Sequence, residues 1–264
     1  INYSGVGPRY EGRHARPDPD PVLRVVTFNV KWGRAVDRLV ELLAETPSLR
    51  DADLVFLQEM SAPGVEQVAR ALGYDYVYYP AVHHPVAGQD FGNAILTRWT
   101  IVEDRKIVLP ERHRFRDMQR IAVAATVDVD GTPVRAYCVH LETPAGIEGP
   151  QRRHQVEAVL ADAAPYERVL VAGDFNNRNQ VGALFEKAGY TWLTENVRRT
   201  ISLWTWDHIF ARGLALRAPG RVGTVRETRG VSDHRPVWAE LALDQSARAP
   251  GPEAARPASA VRKP

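Results

Sequence analysis

The stretch Arg168–Asn177, RVLVAGDFNN, decides how this sequence is expected to fold. Its first five residues, RVLVA, form a short apolar run with β-branched members, which is typical of a strand buried on both faces. Gly173 is predicted to end this strand, and Asp174, Asn176 and Asn177 follow directly. A buried strand that leads into a carboxylate and carboxamides places these groups at the edge of a sheet.

The spacing of Asp174 and Asn176 can direct both side chains to one ligand, because alternate residues of an extended chain lie on the same side. The alternative is a polar turn without further function, since Asp and Asn are common turn formers. This stretch alone does not decide between the two interpretations. The recurrence of the same arrangement elsewhere in the chain does.

The composition is that of an ordinary globular protein. The chain has 264 residues, of which 44% are hydrophobic and 25% charged, with a formal net charge of +2. These values indicate one large domain or two small ones and do not by themselves argue for nucleic acid. The single cysteine, Cys138, excludes an intramolecular disulfide and a cysteine-based metal site, and we expect it to be buried. No apolar run approaches the roughly 20 residues that span a bilayer.

The ends of the chain differ in composition from its middle. Residues 1–21 are rich in Gly, Pro and charge and show no helical or strand period, which predicts an exposed arm. Residues 245–264 are dominated by Ala, Arg and Pro, which predicts a disordered tail. One domain, 22–244, lies between them, and we expect a monomer. Because the chain starts at Ile1, export to a secreted or periplasmic location is one expectation, and a cytoplasmic location is the alternative.

The central domain interleaves amphipathic helices with strands. Helices are predicted at Arg34–Glu45, Gly64–Leu72, Gly149–Ala164 and Val181–Ala188. Strands are predicted at Leu23–Asn29, Asp53–Glu59, Tyr74–Tyr79, Phe91–Thr97, Ile101–Leu109, Arg120–Val129, Val134–His140, Arg168–Ala172, Trp204–Phe210 and Pro236–Leu243. This order predicts sheets covered by helices, with some antiparallel pairing.

Six of the apolar runs begin or end in residues that bind metals or transfer protons. They are Asn29, Glu59, His140, Asp174 with Asn176, Asp207 with His208, and Ser232-Asp233-His234. Each has an ordinary explanation when taken singly, such as a loop acid or a core histidine. Together they would require six coincidences of one kind, and ligands of open sheets collect at such strand ends. The sequence therefore predicts a single site.

The residue types indicate the chemistry. Carboxylate and carboxamide oxygens without cysteine suit Mg²⁺ or Mn²⁺ better than zinc. Hydrolysis of a phosphoester requires neutralised phosphate oxygens, a water oriented in line and a stabilised leaving oxygen. A carboxylate beside a histidine supplies a positioned general base. We therefore predict metal-dependent hydrolysis of a phosphoester.

Seven segments carry a family resemblance. They are TFNV (Thr27–Val30), LQEM (Leu57–Met60), FGNAILTR (Phe91–Arg98), CVHLE (Cys138–Glu142), AGDFNN (Ala172–Asn177), WDHIF (Trp206–Phe210) and SDHRPV (Ser232–Val237). In this order the chain resembles the endonuclease/exonuclease/phosphatase superfamily, which includes deoxyribonuclease I, abasic-site endonucleases, sphingomyelinases and inositol-polyphosphate phosphatases. The resemblance covers nearly all of Leu23–Leu243. It implies an α/β fold, a four-layer sandwich of two packed mixed β-sheets flanked by helices.

The resemblance also implies roles for the polar strand ends. Glu59 would be the principal ligand of the Mg²⁺ or Mn²⁺ ion, with Asn29 and Asp233 close to it. Asp174 would orient or deprotonate the attacking water. Asn176 would hold this water or a phosphate oxygen.

The remaining implied roles concern the phosphate. His234 would be the base or a phosphate-binding imidazole, oriented by Asp207. His140 would stabilise the charge that develops on the phosphate. Asn93 and Arg120 resemble phosphate-contacting positions that flank the site.

The histidines outside these motif positions receive no role. His208 occupies a position where the family varies, and it stays unassigned. His83, His84 and His113 are expected on the surface.

The superfamily does not define the substrate. The WTWDHIF segment departs from the pattern of inositol phosphatases. Sphingomyelinases use an exposed aromatic hairpin, whereas Trp204 and Trp206 are predicted on one side of a strand, in the core. The arginines of ERHRFRDMQR would suit a nucleic-acid groove or form a solvated loop; they are Arg112, Arg114, Arg116 and Arg120. We expect a nuclease-like phosphodiesterase, with a lipid or small-molecule phosphoesterase, or a non-catalytic binding module, as the alternatives.

Overall fold

The structure is a computed structural model that describes residues 1–17, 20, 22–84 and 88–243. The predicted tail at 245–264 lies outside the described residues. The helices are α1 (Val36–Glu45), α2 (Ala62–Leu72), α3 (Gly149–Ala163) and α4 (Asn179–Lys187). The strands are β1 (Tyr10–Gly12), β2 (Val22–Asn29), β3 (Leu54–Met60), β4 (Asp75–His84), β5 (Gln89–Thr97), β6 (Thr100–Arg112), β7 (Gln119–Val129), β8 (Thr132–His140), β9 (Val169–Asp174), β10 (Thr191–Trp192), β11 (Asp207–Arg212), β12 (Ala215–Leu216), β13 (Val222–Thr224) and β14 (Val237–Ala242).

These strands form two mixed sheets. The first has the order β1-β4-β5-β3-β2-β14-β12, with β13 also paired to β14, and the second has the order β10-β11-β9-β8-β7-β6. Each sheet contains one parallel pair, β2 with β3 and β8 with β9, and the other pairs are antiparallel. Both parallel pairs lie inside their sheets, where apolar side chains cover both faces.

The two sheets pack face to face, and helices cover their outer faces. Leu23 and Phe56 of the first sheet share a buried cluster with Cys138 and Leu170 of the second. Because successive strand residues point to opposite faces, the alternate residues of the same strands face outward onto helices. Helices α1 and α2 cover the first sheet, and α3 and α4 cover the second. This arrangement confirms the predicted four-layer α/β sandwich.

Residues 1–21 make more contact with the sheets than their composition predicts. Within this segment β1 pairs antiparallel with β4, and the Tyr3 amide donates to Ala81 O at 2.9 Å. Lys106 Nζ donates to Tyr3 O at 2.8 Å, and an ion pair joins Arg9 to Asp104. The sequence does not reveal β1, because this short strand lies at the edge of the sheet and is mostly exposed. It therefore has no run of apolar residues.

The predicted end of the central strand is wrong. β9 continues through Gly173 to Asp174, and Gly173 itself has φ 154°. A Cβ atom at this position would lie 1.8 Å from Val139 O on the neighbouring strand. Glycine therefore permits the close approach of β9 to β8 and does not terminate the strand.

The predicted strand Trp204–Phe210 is also partly wrong, because β11 begins only at Asp207. Trp204 and Trp206 precede it in a turn, and Trp204 is 61% exposed, so the two side chains do not share the core face of a strand. The apolar residues Trp204 and Trp206 suggested a longer strand. Backbone hydrogen bonds between Ile201 and Trp204 form a turn there instead, and such bonds cannot be predicted from the pattern of apolar residues.

The register of the strands brings the polar ends together. His140 pairs with Asp174 across the β8–β9 ladder, and Asp174 pairs with Asp207 across the β9–β11 ladder. Three adjacent strands of the second sheet therefore present these side chains in one row. In the first sheet, Asn29 pairs with Gln58, the neighbour of Glu59. The packing of the two sheets places both groups at the same end of the sandwich.

Candidate active site

Asp174 is the centre of the site. Its side chain is buried, and its Oδ2 accepts a hydrogen bond from Asn29 Nδ2 at 3.0 Å. Its Oδ1 accepts from the backbone N–H of Asn176 at 2.9 Å. Asn176 has φ 50°, so the chain turns directly after the strand and its side chain folds back onto Leu141 O at 3.0 Å. The predicted neighbours Asp174 and Asn176 thus meet through a local turn.

Glu59 approaches the same point from the first sheet. The pairing of β3 with β5 is interrupted between Leu57 and Met60, and Glu59 in this bulge has φ 63°. A bulge redirects a side chain and is common beside functional sites. Glu59 Oε1 accepts from Asn29 Nδ2 at 3.1 Å, and Oε2 accepts from the backbone N–H of Trp32 at 3.1 Å. One amide nitrogen of Asn29 therefore bridges the carboxylates of Glu59 and Asp174.

His234 and Asp207 form a buried pair. His234 Nδ1 lies 3.1 and 3.0 Å from the two carboxylate oxygens of Asp207. His234 Nε2 points towards Asp174, at 3.7 Å from Oδ2. Because Asp207 accepts at Nδ1, this nitrogen carries a proton, and Nε2 is the atom that faces the centre of the site.

His140 also faces Asp174 Oδ2 and is supported by Arg120. His140 Nε2 lies 3.5 Å from Asp174 Oδ2, and Arg120 Nη1 lies 3.2 Å from both ring nitrogens of His140. Arg120 is itself buried and forms an ion pair with the fully buried Glu142 at 3.2 Å. Arg120 therefore lies beneath the site, and the interpretation that it forms part of an exposed rim is wrong.

The burial of these groups changes their proton affinities. Burial raises the pKa of Asp174, reinforced by Asp207 and opposed by His234. Burial opposes the charge on His234, but the carboxylates of Asp207 and Asp174 outweigh it and raise the pKa of His234. Burial, together with Arg120 and His234, holds the pKa of His140 well below its usual range. The two histidines thus differ in proton affinity: the pKa of His140 is lowered and the pKa of His234 is raised.

Asp233 lies at the rim of the site. Its side chain is 51% exposed and accepts a hydrogen bond from Lys31 Nζ at 2.9 Å. Burial would raise the pKa of Asp233, but the ion pair with Lys31 outweighs burial and lowers it. Lys31 also donates its backbone N–H to Asn29 Oδ1 at 3.1 Å. As a result, Asn29 presents its nitrogen to the two carboxylates, whereas its predicted role as a metal neighbour would use its oxygen.

Asn93 is buried between the sheets. Its Nδ2 donates to Ile121 O at 3.0 Å and to Cys138 O at 3.4 Å, two carbonyls of the second sheet. The amide nitrogen is thereby used in joining β5 to β7 and β8. Its donor is therefore already engaged, by carbonyls of residues next to Arg120 and two positions before His140.

The other histidines have structural roles. His208 is fully buried; its Nδ1 accepts from Trp192 Nε1 at 3.2 Å and its Nε2 faces Asn177 O at 3.1 Å. Burial lowers the pKa of His208 to about 4. His113 is buried rather than on the surface, because its Nδ1 accepts the N–H of Phe115 and closes the β6–β7 loop. His83 is partly exposed and bonded to Asp90.

Two groups of side chains at the site offer ligand atoms for a divalent cation. Ligand atoms of Asp174, Asp207 and His234 lie within 4.8 Å of one another. However, Asp207 already holds Nδ1 of His234, which makes this group a poor cage for an ion. The carboxylates of Glu59 and Asp174 share one amide nitrogen and offer only oxygen, the donor type that Mg²⁺ and Mn²⁺ prefer. The carboxylate oxygens of Glu59 and Asp174 are therefore suitable ligands for a hard cation, with Glu59 as the residue that would hold it.

Two supporting residues were not predicted. Glu142 compensates the buried charge of Arg120, and Lys31 holds both Asn29 and Asp233. Glu142 ends the CVHLE segment and Lys31 follows TFNV, so both are visible at the edges of motifs. Their partners are distant in sequence, however, and only the fold brings them together.

The profile of the Endonuclease/Exonuclease/phosphatase family matches residues 26–234 of this sequence. The chain belongs to the endonuclease/exonuclease/phosphatase family. Enzymes of this family are phosphoester hydrolases and generally use divalent metals. The match spans every strand end described above, from Asn29 to His234, and confirms the resemblance inferred from the motifs.

Solved structures share this fold. TDP2 from D. rerio in complex with a single-strand DNA product is 22% identical, with a TM-score of 0.65 over 84% of this chain and 99% of that chain. The human nocturnin catalytic domain with bound sulfate is 18% identical, with a TM-score of 0.67 over 89% and 97%. Sphingomyelinase C from Streptomyces griseocarneus is 19% identical, with a TM-score of 0.64 over 84% and 99%. At these identities the likeness concerns the fold alone.

No curated protein matches this family member significantly. Across the part of the chain that the structure describes, no helix combines the length and the hydropathy needed to cross a membrane.

Proposed function

We propose that this family member is a divalent-metal-dependent phosphodiesterase that cleaves nucleic acid. The observation that carries the proposal is the meeting of Glu59, Asp174 and the His234–Asp207 pair at one end of both sheets. Two carboxylates on one side and two imidazoles on the other surround a point that a phosphate group can occupy. This arrangement combines the cation, the base and the hydrogen-bond donors that phosphoester hydrolysis requires.

Asp174 orients and deprotonates the attacking water in this proposal. Its Oδ1 is held by the Asn176 N–H, and Asn29 and the imidazoles surround Oδ2. A carboxylate fixed on several sides keeps a bound water in one orientation. Asn176, which turns back over the strand end, holds the water or a phosphate oxygen.

His234 and His140 receive the charge of the phosphate. His234 is oriented by Asp207, so its Nε2 donates a hydrogen bond to a phosphate oxygen. His140 lies beside Arg120, and burial together with this guanidinium keeps the pKa of His140 low. Preorganised donors of this kind stabilise the charge that grows in the transition state. Asn93 supports this wall from the first sheet.

Glu59 would hold the Mg²⁺ or Mn²⁺ ion, with Asp233 at the rim and Asn29 between the two carboxylates. When bound, the cation neutralises a non-bridging phosphate oxygen and stabilises the leaving oxygen. The Asn29 amide keeps Glu59 and Asp174 apart at fixed positions. The chain's own contribution is therefore a rigid pair of carboxylates that faces the imidazoles.

Nucleic acid is the preferred substrate class because basic side chains flank the site. Arg112, Arg114 and Arg116 are exposed on the β6–β7 loop, next to the strand that carries Arg120. Such side chains neutralise phosphates along a strand. The single-strand DNA product in the complex of TDP2, a relative in fold, agrees with this substrate class. The alternative is a phospholipid, which the likeness to sphingomyelinase C and the exposed Leu203 and Trp204 favour.

A substrate panel tests the proposal. Purified protein with Mg²⁺ or Mn²⁺ is incubated with plasmid DNA, single-stranded RNA, sphingomyelin, phosphoinositides, nucleotides and an aryl phosphodiester. We expect cleavage of nucleic acid that weakens at high salt, because phosphate contacts release counterions. Asp174→Ala and His234→Ala should abolish hydrolysis and leave the fold intact, whereas Asp128→Ala, on an exposed strand position, should have no effect.

Two outcomes would contradict the proposal. Cleavage of lipid alone would support the phospholipid alternative. A wild-type protein that is inert on every phosphoester, with or without metal, would indicate a non-catalytic binding module on this fold.

A further inference from the structure

A tight turn next to the site carries two exposed apolar side chains. Trp204 N–H donates to Ile201 O at 2.7 Å, and Ile201 N–H donates to Trp204 O at 3.1 Å. Ser202 within this turn has φ 47°. Leu203 is 77% exposed and Trp204 is 61% exposed. Large apolar side chains displayed together on a rigid turn indicate a binding surface more strongly than single exposed residues do.

This turn is attached to the catalytic pair. Thr200 Oγ1 accepts the backbone N–H groups of Trp206 at 2.9 Å and Asp207 at 3.1 Å. Thr200 O accepts the N–H of Arg235 at 2.7 Å, and Ile201 forms an isolated β-bridge with His234. The residues on either side of the turn are therefore bonded to the two segments that carry Asp207 and His234. These hydrogen bonds fix the position of the turn relative to Asp207 and His234.

The tryptophans form a stacked pair. The ring centroids of Trp204 and Trp206 are 6.1 Å apart, and their planes differ by 18°. Trp204 remains 61% exposed although Trp206 stacks on it. Most of its surface is therefore available to a further planar ring.

A cavity lies between the tryptophan pair and Asn176. It measures about 840 Å³, and its lining is both polar and apolar: Asn176, Asn177, Arg178 and Arg198 on the polar side, and Trp204, Trp206, Leu203, Pro144 and Ala145 on the apolar side. One wall thus belongs to the phosphate site and the other to the aromatic stack. The carboxamides and guanidinium groups between them suit the polar edge and the phosphate of a nucleotide.

We infer that Trp204 stacks on the nucleobase adjacent to the scissile phosphate, so that Trp204 makes the enzyme specific for substrates with a planar group there. This inference rests on the proposed nuclease function. A base is preferred to an acyl chain because Arg178 and Arg198 line the same cavity, and guanidinium groups suit a phosphate-bearing strand. Every base has a π face, so stacking requires a base but selects weakly among the four.

The test compares matched single strands that carry either bases or tetrahydrofuran abasic residues on both sides of the cleaved linkage. Base stacking on an aromatic side chain changes affinity by about 5- to 100-fold. Trp204→Leu should therefore raise KM for the base-bearing strand by this factor with little change in kcat. Trp204→Phe, which keeps a ring, should retain most of the affinity. On the abasic strand the wild type and Trp204→Leu should have similar KM values.

Val102→Ala is the control for loss of an exposed apolar side chain, because Val102 is 64% exposed on β6 and does not line this cavity. Stacking predicts that Val102→Ala cleaves both strands as the wild type does. Co-sedimentation with sphingomyelin and phosphatidylcholine vesicles is measured for Trp204→Ala, Leu203→Ala and Val102→Ala. Vesicle binding that is lost in both Leu203→Ala and Trp204→Ala, with strand cleavage unchanged, would overturn the inference in favour of a lipid surface.

The outcomes separate the inference from the function on which it rests. If Trp204→Leu cleaves the base-bearing strand with the wild-type KM, the stacking role is wrong and the nuclease proposal stands. If the wild type cleaves no strand but hydrolyses other phosphodiesters, the nuclease proposal is wrong and the stacking role is overturned with it.

Discussion

Asp207 holds the His234 ring with both of its carboxylate oxygens, at 3.1 and 3.0 Å from Nδ1. Asp207 begins β11 and His234 precedes β14, so this pair joins the second sheet to the first. The same contact directs Nε2 towards Asp174. One buried pair therefore fixes the orientation of an imidazole and the relative position of two sheets at the site.

Asp207→Asn is expected to reduce kcat strongly while the protein stays folded. The carboxamide can hold the ring through one oxygen only and cannot balance the imidazolium charge. Loss of a buried carboxylate that orients a catalytic histidine lowers kcat by on the order of 10³- to 10⁴-fold in comparable dyads. The measurement is kcat on an aryl phosphodiester, with circular dichroism to verify folding. Activity within a few-fold of wild type would show that His234 works without this partner.

Removal of divalent metal is expected to abolish hydrolysis. EDTA should inactivate the protein, and Mg²⁺ or Mn²⁺ should restore activity, because the phosphate oxygens need a neutralising cation. Glu59→Gln should shift the Mg²⁺ concentration for half-maximal activity upward by about 10- to 100-fold. Glu45→Gln, which removes an exposed ion pair with Arg229, is the control and should leave this concentration unchanged. Full activity in EDTA would exclude the proposed role of Glu59.

Glu142→Ala is expected to destabilise the fold. Arg120 is 6% exposed and Glu142 is fully buried, so the substitution leaves a buried guanidinium without its carboxylate. Breaking one partner of a buried pair lowers the free energy of unfolding by about 3 to 5 kcal/mol. Urea denaturation measures this loss. The double variant Arg120→Met/Glu142→Leu should recover much of the stability but not the activity, and a double variant as unstable as Glu142→Ala would contradict the explanation.

Asp53 is expected to make stability depend on pH. Burial raises its pKa from the ordinary 3.8 to about 6, although Arg24 N–H and the Trp99 indole donate to its oxygens. The folded state then binds this proton more tightly than the unfolded state does. The Asp53 contribution to the free energy of unfolding is therefore present below pH 4 and falls by about 3 kcal/mol as the pH rises through 6.

Asp53→Asn removes this titration. Its free energy of unfolding, relative to wild type, should increase between pH 4 and pH 7, as measured by denaturation at both values. Asp128→Asn, at an exposed position, serves as the control and should follow the wild type at both pH values. A difference between Asp53→Asn and wild type that does not change with pH would show that Asp53 does not titrate in this range.

Most of the architecture could be predicted from the sequence, because the apolar runs are long and their periods distinct. The four helices and the ten strands of the prediction are present in the described residues, apart from shifted ends and the misplaced start of β11. Strands of two or three residues, such as β10 and β12, were missed. Their pairing depends on a neighbouring strand that supplies the hydrogen bonds. A segment of two or three residues is too short to show the alternation of apolar and polar residues that identifies a strand.

The site could be predicted as a set of residues but not as a geometry. Their positions at strand ends identified Asn29, Glu59, Asp174 and His234 as candidates, and the fold brings these side chains together. The sequence pattern did not predict the bulge at Glu59 or the burial of Arg120, because both depend on contacts with other strands.

The sequence by itself determined which residue types stand at the ends of the strands, and through them the family and its phosphoester chemistry. Only the tertiary structure decided how they are used: that Asn29 bridges two carboxylates, that the pKa values of His140 and His234 are shifted in opposite directions, and that Trp204 is exposed beside the site. The physical reason is that periodicity records which side chains are buried along one strand. Charge states and cavities arise from side chains that different strands bring within a few ångströms of one another.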